Sequence, residues 1–326
     1  MDPAIHLGAD GVPAAYGAFA EREARGVSAT YEAWALGVSA DPEVARLVAT
    51  LPVPKRQPNL VFAAARRHGA HGGYASLRST LLDHWPAVRE TVLARATQTN
   101  EAGRCAVLLP FLAALPQPLA LIEVGASAGL CLLPDRYSYA YDDGTRLDPD
   151  DGPSDVVLPC ALARGTRAPG RLPDVAWRAG IDLAPVDVLD REACRWLEAL
   201  VWPEHEDRRE RLDHALAVAR RDPPRVVAGD LLDTLPSLAA EAPADATLVV
   251  FHSAVLAYLD AAARAAFVDL VGRLPGHWVS NEGARALPST AHLADGPAAR
   301  GFVVAVDGVP RAVADPHGRR LSGLAA

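Results

Sequence analysis

Leu121-Ile122-Glu123-Val124-Gly125-Ala126-Ser127-Ala128-Gly129-Leu130 is the stretch on which the reading of this 326-residue chain turns. The run up to Val124 has the length and composition of a buried strand, and the five small residues after it let the backbone turn tightly. The pattern predicts strand, turn and helix, with the first N–H groups of the helix facing polar or negatively charged ligand atoms. Ser127 stands where a dinucleotide fingerprint has its central glycine.

Toward the C-terminus, short apolar strands alternate with helices, the pattern of a mostly parallel sheet covered on both faces. Strands are expected at Leu119–Val124, Ala176–Leu183, Arg225–Ala228, Thr247–Phe251, His277–Ser280 and Gly301–Val306, the last followed by a hairpin turn at Asp307-Gly308. Helices are expected over 191–202, 208–221 and 261–274. Residues 133–178, rich in Asp, Pro and Gly, read as an insertion carrying a hairpin between the first two strands.

Toward the N-terminus the chain reads as helices. Asp41-Pro42 is a cap with a first-turn proline, Pro58 opens another helix, and His71-Gly72-Gly73 interrupts the array before Leu77–His84 and Pro86–Thr97. Asn100 is placed to cap a helix from Glu101 to Leu115. The expected organisation is therefore a helical region over residues 1–118 and an α/β domain over 119–326.

Half of the residues are hydrophobic and 22% are charged, a composition that can bury a large core. No apolar run reaches the roughly 18 residues of a membrane span. Met1-Asp2-Pro3 lacks the basic and apolar parts of a signal peptide, so a cytoplasmic protein without a membrane partner is expected. A net charge of −8 argues against nucleic acid held on a basic face and favours a small-molecule substrate. Cys105, Cys131, Cys160 and Cys194 are scattered with no histidine at ligand spacing, so no metal is expected. The sequence carries no signal for an oligomeric state.

The expected strand ends gather polar residues at one edge. Asp182, in Gly180-Ile181-Asp182, could accept hydrogen bonds from a ribose diol; Asp142 and Asp143 are rivals for that role. Asp230 with Leu231 could address an adenine amine. His252 suits a general base at neutral pH. Ser253, Asn281 and Glu282, just past the fourth and fifth strands, would face an acceptor, with capping and turn formation as the plainer alternative. Trp202 could wall a pocket or pack in the core, and Asn100 could reach a ligand as well as cap its helix.

On Glu123 to Leu130, Asp182, Asp230 and the segment ending at His252, the last two thirds of the chain resemble class I S-adenosylmethionine-dependent methyltransferases. The resemblance implies a Rossmann-like methyltransferase sheet, mostly parallel with a C-terminal antiparallel hairpin. It implies S-adenosylmethionine as cofactor, held by Glu123 beside its amino group and by Gly125, Ala126, Ser127, Gly129, Asp182, Asp230 and Leu231. Methyl transfer to a small-molecule acceptor would involve Asn100, Trp202 and Asn281 in binding and His252, Ser253 and Glu282 in catalysis. The strings Gln98–Glu101, Glu123–Leu130, Val201–Glu204, Phe251–Ser253 and Asp315–Gly318 are also similar to an uncharacterised bacterial family, which implies a fold and no reaction.

Two alternatives accompany this reading. One is a protein that binds the cofactor without turnover, since a fold does not fix a function. The other is an α/β-hydrolase, because Gly125-Ala126-Ser127-Ala128-Gly129 also satisfies the G-x-S-x-G nucleophile elbow. Ser127 would then be the nucleophile of an esterase and His317 its base, oriented by Asp260 or Asp295, with His71-Gly72-Gly73 as oxyanion loop. Topology opposes this: such an elbow follows several strands, whereas the preceding 118 residues read as helices.

Overall fold

The structure is a computed structural model describing residues 11–324 except 164, 297 and 300, so the start at Met1-Asp2-Pro3 lies outside the described residues. The described residues divide into two compact units, one of residues 11–99 and 191–210, the other of 100–190 and 211–324.

The first unit is helical: α1 (Gly11–Phe19), α2 (Ala29–Ala40), α3 (Pro42–Ala49), α4 (Pro58–Arg67), α5 (Tyr74–Ala94) and, from later in the chain, α7 (Arg191–Leu200). Each start has a local cause. Asp41 caps α3 by accepting the amides of Glu43 and Val44, and Pro42 and Pro58 occupy first-turn positions where no N–H is needed. The break at His84 bends α5 two residues before Pro86, as expected from a ring that clashes with the turn before it. The core is aromatic: the Tyr16, Phe19, Tyr31 and Trp34 rings surround Phe62, mostly edge-on. Trp196 and Ala199 of α7 join this core, and Arg66 Nη1 donates to the carbonyls of Ala199 and Val201 at the end of that helix.

The second unit is built on one sheet. Its strands are β1 (Leu119–Val124), β2 (Ser138–Tyr141), β3 (Arg146–Leu147), β4 (Val157–Ala163), β5 (Val175–Asp182), β6 (Val226–Ala228), β7 (Thr247–Ser253), β8 (His277–Gly283), β9 (Phe302–Val306), β10 (Val309–Ala314) and β11 (Arg320–Gly323). They lie in the order β3-β2-β4-β11-β10-β9-β8-β7-β1-β5-β6. Strands β6, β5, β1, β7 and β8 are parallel, and β9, β10 and β11 continue as an antiparallel meander. Asp307 and Gly308 both take positive φ between β9 and β10, the tight hairpin expected there. Around the sheet lie α6 (Cys105–Leu112), α8 (Glu206–Arg221), α9 (Leu231–Ala239) and α10 (Ala261–Val271). Leu235, Leu238, Phe267 and Val271 of α9 and α10 share one core with Ile122, Val124, Ala179, Ile181 and Val250 of the sheet. The mixed α/β fold with a mostly parallel sheet, antiparallel C-terminal strands and preceding helices therefore matches expectation.

Several local expectations are corrected. No α-helix follows the glycine loop; after Gly129 there is only a short 3-10 turn, Leu130–Leu132. Leu130, Cys131 and Leu132 are consecutive and all buried, so the segment has no solvent face for a surface helix to turn outward. The segment 133–178 carries the expected hairpin, β2 and β3, and adds a strand not expected to join the main sheet: β4 runs parallel to β2 along its first half and parallel to β11 along its last residues. Asn100 caps no helix. Glu101 accepts the Gly103 amide at the start of a 3-10 turn, Ala102–Arg104, which leads into α6. β8 extends to Gly283, so Asn281 and Glu282 belong to the strand and do not follow it. Glu204 accepts the Ser28 hydroxyl and the Thr30 amide, and Arg211 Nε bonds the buried Glu101 carboxylate at 2.9 Å.

Because α7 completes the helical core from a distant part of the sequence, a polypeptide of residues 11–99 alone is expected to unfold without a cooperative transition. Urea titration followed by tryptophan fluorescence checks this, and a steep two-state curve would show that α7 is dispensable. In the full chain, Phe62→Ala should destabilise the helical unit by about 3–5 kcal/mol, read as a lowered urea midpoint.

Candidate functional site

β1 sits where the order of the parallel strands reverses: after forming β2, β3 and β4 at the far end of the sheet, the chain returns to β5 and β6 on one side of β1 and then crosses to β7 and β8 on the other. In open α/β sheets this reversal opens a crevice at the carboxyl ends of the strands. The loops leaving β1 and β7 each hold a non-glycine residue in the left-handed region, Ser127 at φ 51° and Ala254 at φ 60°. Such conformations cost about 1–2 kcal/mol apiece and persist only where neighbours fix them.

The Ser127 carbonyl accepts the Val186 amide at 3.0 Å, and two side chains complete its fixation. Asp182, at the end of β5, accepts the Ser127 amide at 2.8 Å and the Ala184 amide at 2.8 Å. Asn100 accepts the Ala128 amide at 2.9 Å and donates its Nδ2 to the Ser127 hydroxyl at 2.8 Å. Gly125 has φ +71°, and a Cβ there would stand 2.4 Å from Val255 Cγ2, so the β1 loop lies directly beneath the β7 loop.

Side chains of β1, β7 and β8 alternate between faces, and the register aligns Glu123 with Phe251 and Val279, and Ser253 with Asn281. Glu123, Ser253 and Asn281 therefore share one face. His252 and Glu282 lie on the other, against Phe267 and Trp278. On the first face Arg104, almost fully buried, donates Nε to the Pro316 carbonyl and Nη1 to the Ser253 carbonyl, both at 3.0 Å, and stands over the Phe302 ring. Asn281 Nδ2 donates to Ser253 Oγ at 2.9 Å. Glu123 Oε2 and Asn281 Oδ1 are buried acceptors with no hydrogen-bond partner. Burial pushes the Glu123 carboxyl well above its usual range, a shift reinforced by Cys131 and Asp182 and opposed by Arg104.

On the opposite face the roles are structural. Trp278 Nε1 donates to His252 Nε2 at 2.9 Å, which fixes the ring proton on Nδ1, donated to Glu282 Oε1 at 2.7 Å. Both imidazole nitrogens are committed and the residue is fully buried, so the general-base role expected for His252 is not available in this geometry. Glu282 Oε1 also accepts the amides of Val255 and Leu256, holding the loop after β7 above Gly125.

The remaining candidates separate. Asp182 is at the edge of the crevice. Asp142 and Asp143 lie beyond β2, with β4, β11, β10, β9, β8 and β7 between them and β1, and accept the amides of Leu162 and Thr145. Asp230 caps α9 through the Leu232 amide, and Leu231 is that helix's first residue, packed against the α9–α10 core. Trp202 packs between Phe19 and Tyr31 in the helical unit and gives its indole N–H to Asn59, so core packing, not a pocket wall, accounts for it. Of the esterase candidates, the Ser127 hydroxyl accepts from Asn100 Nδ2, His317 Nδ1 lies 3.8 Å from Glu101, Asp260 caps α10 and Asp295 pairs with Arg285. Sequence reading missed Arg104. The motif Asp315–Gly318 was its signal, since Gly318 must be glycine to pass the Gly103 carbonyl, 1.8 Å from where its Cβ would be, and that approach brings Pro316 to the guanidinium. Among the described residues no group of His, Cys, Asp and Glu side chains is arranged to hold a metal, and no helix is long and apolar enough to cross a membrane.

A carboxyl whose native value is raised favours a neutral form, so its cost to stability is absent below the unfolded value near 4.3 and grows as pH rises above it. Glu123→Gln is accordingly expected to match the parent near pH 4 and to exceed it at pH 7 by about 1–3 kcal/mol in urea unfolding. An equal or lower stability at pH 7 would mean that the carboxyl is satisfied as an anion.

No curated protein and no solved structure matches the chain. One family profile does, over residues 13–322, nearly the whole length. The chain belongs to the family described as an uncharacterized protein conserved in bacteria (DUF2332).

Proposed function

We propose that the protein binds S-adenosylmethionine at the carboxyl edge of β1, β5 and β6 and transfers its methyl group to a small-molecule acceptor. The observation that carries this reading is Glu123: a buried carboxyl with an unpartnered oxygen, near the end of β1, the middle of the five strands β6, β5, β1, β7 and β8, where the strand order reverses. The amino group of a methionine moiety would supply the missing donor and a compensating charge. Each Asp182 oxygen accepts one amide and keeps a lone pair for a ribose hydroxyl. Leu183, 78% exposed directly after Asp182, and Tyr258, 64% exposed after β7, offer apolar surface for a flat base.

The lack of a helix after the glycine loop also fits this ligand. Phosphate-bearing dinucleotides draw on the partial positive charge of a helix N-terminus, whereas S-adenosylmethionine carries no phosphate. Its sulfonium supplies the electrophilic methyl group, so the protein's part is to align the acceptor and exclude water. Ser253 and Asn281, on the face of Glu123, are the acceptor-side residues of this proposal; His252 and Glu282 support the loop 254–258 from behind.

Isothermal titration calorimetry with S-adenosylmethionine and S-adenosylhomocysteine tests the reading. Saturable binding in the micromolar range is expected, weakened at least about tenfold by Glu123→Gln and by Asp182→Asn, each removing about 1.4 kcal/mol or more. No binding by the parent would end the proposal. Binding without turnover across an acceptor panel would leave a non-catalytic binder, and ester hydrolysis lost in Ser127→Ala would favour the hydrolase.

A further inference from the structure

Far along the sheet from β1, two adjoining clefts open beside α6. One, about 270 Å³, is lined by Pro110, Phe111, Arg167, Arg311, Leu321 and Leu324; the other, about 410 Å³, shares Pro110 and adds Pro169 and Arg171. The three arginines are exposed, and among the described residues none has an ion pair or a side-chain hydrogen bond. The buried or half-buried arginines of the same unit are engaged: Arg104 with two carbonyls, Arg178 with Asp135 and Arg211 with Glu101.

The segment that presents Arg167 is fixed. The Thr166 hydroxyl donates to the Ala163 carbonyl at 2.7 Å and accepts the Ala163 amide at 3.1 Å, tying the loop to the end of β4. Asp143 accepts the backbone amides of Thr145 and Ala168 and makes no ion pair with Arg167 or Arg311.

We propose that these clefts bind a phosphate-bearing small molecule, its phosphate held by Arg167 and Arg311 and its apolar body against Pro110, Phe111, Leu321 and Leu324. A planar guanidinium presents paired donors that match phosphate oxygens, and two of them on one cleft suit a dianion better than a single carboxylate. Apolar walls with a few charged groups are the usual make-up of a small-molecule site, and the volumes limit the occupant to a small one. Arg171, on the adjoining cleft, extends the positive field. This site is independent of the reading of the carboxyl edge.

The test is an NMR titration of the full chain with phenyl phosphate at low ionic strength, alongside phenylacetate and benzyl alcohol. Phenyl phosphate is expected to saturate at low millimolar concentration, more tightly than phenylacetate, and to weaken with added salt. The double variant Arg167→Ala/Arg311→Ala should bind at least about tenfold more weakly, while Arg285→Ala, at an exposed pair elsewhere, should leave binding unchanged. No saturation by roughly 10 mM, undiminished binding in the double variant, or equal binding of phenylacetate would each overturn the assignment.

Discussion

The turn from Gly125 to Gly129 has no helix behind it; backbone carbonyls of Ile181 and Ala126 take the amides of Gly125, Ala126 and Gly129, but those of Ser127 and Ala128 need side chains from outside, and the rest of the site depends on that. Asp182 takes the Ser127 amide and Asn100 takes the Ala128 amide. Two residues distant in sequence thereby hold the chain at the end of β1. An amide left unpaired there would cost about 1–3 kcal/mol, enough to release the left-handed Ser127 from its position.

The same logic spreads outward. With the β1 loop fixed, Gly125 admits Val255 from above, and Glu282 pins Val255 and Leu256 by their amides while His252 and Trp278 buttress Glu282. On the other face Arg104 ties the end of β7 to the turn at Pro316. Polar side chains within one strand thus have opposite duties set by the pleat: His252 and Glu282 are structural, whereas Ser253 and Asn281 lie on the face of Glu123. Sequence adjacency pointed to His252-Ser253 as one catalytic pair, yet a strand sends neighbours to opposite sides.

The nucleotide-type reading and the hydrolase reading both leaned on a helix after the glycine loop. Its absence weighs on them unequally. An elbow needs an acid to orient the base at its serine, and the two candidates, Asp260 and Asp295, respectively cap α10 and pair with Arg285. A ligand without phosphate needs tight backbone approach and acidic groups at neighbouring strand ends, and Glu123 and Asp182 stand there.

By itself the sequence determined the strands of the parallel sheet and most helix starts, because these rest on local signals: apolar runs, Asp41-Pro42, Pro58, and the Asp307-Gly308 turn. It also put Asp182 at the end of a strand, since an apolar run leads straight into it. Tertiary structure alone decided that residues 138–163 extend the far end of the sheet, that α7 belongs to the helical unit, that Asn100 braces a loop and that Arg104 is buried in the site. Those outcomes depend on partners tens to hundreds of residues away, and no propensity or spacing within a short window encodes which distant amide, carbonyl or ring a side chain will meet.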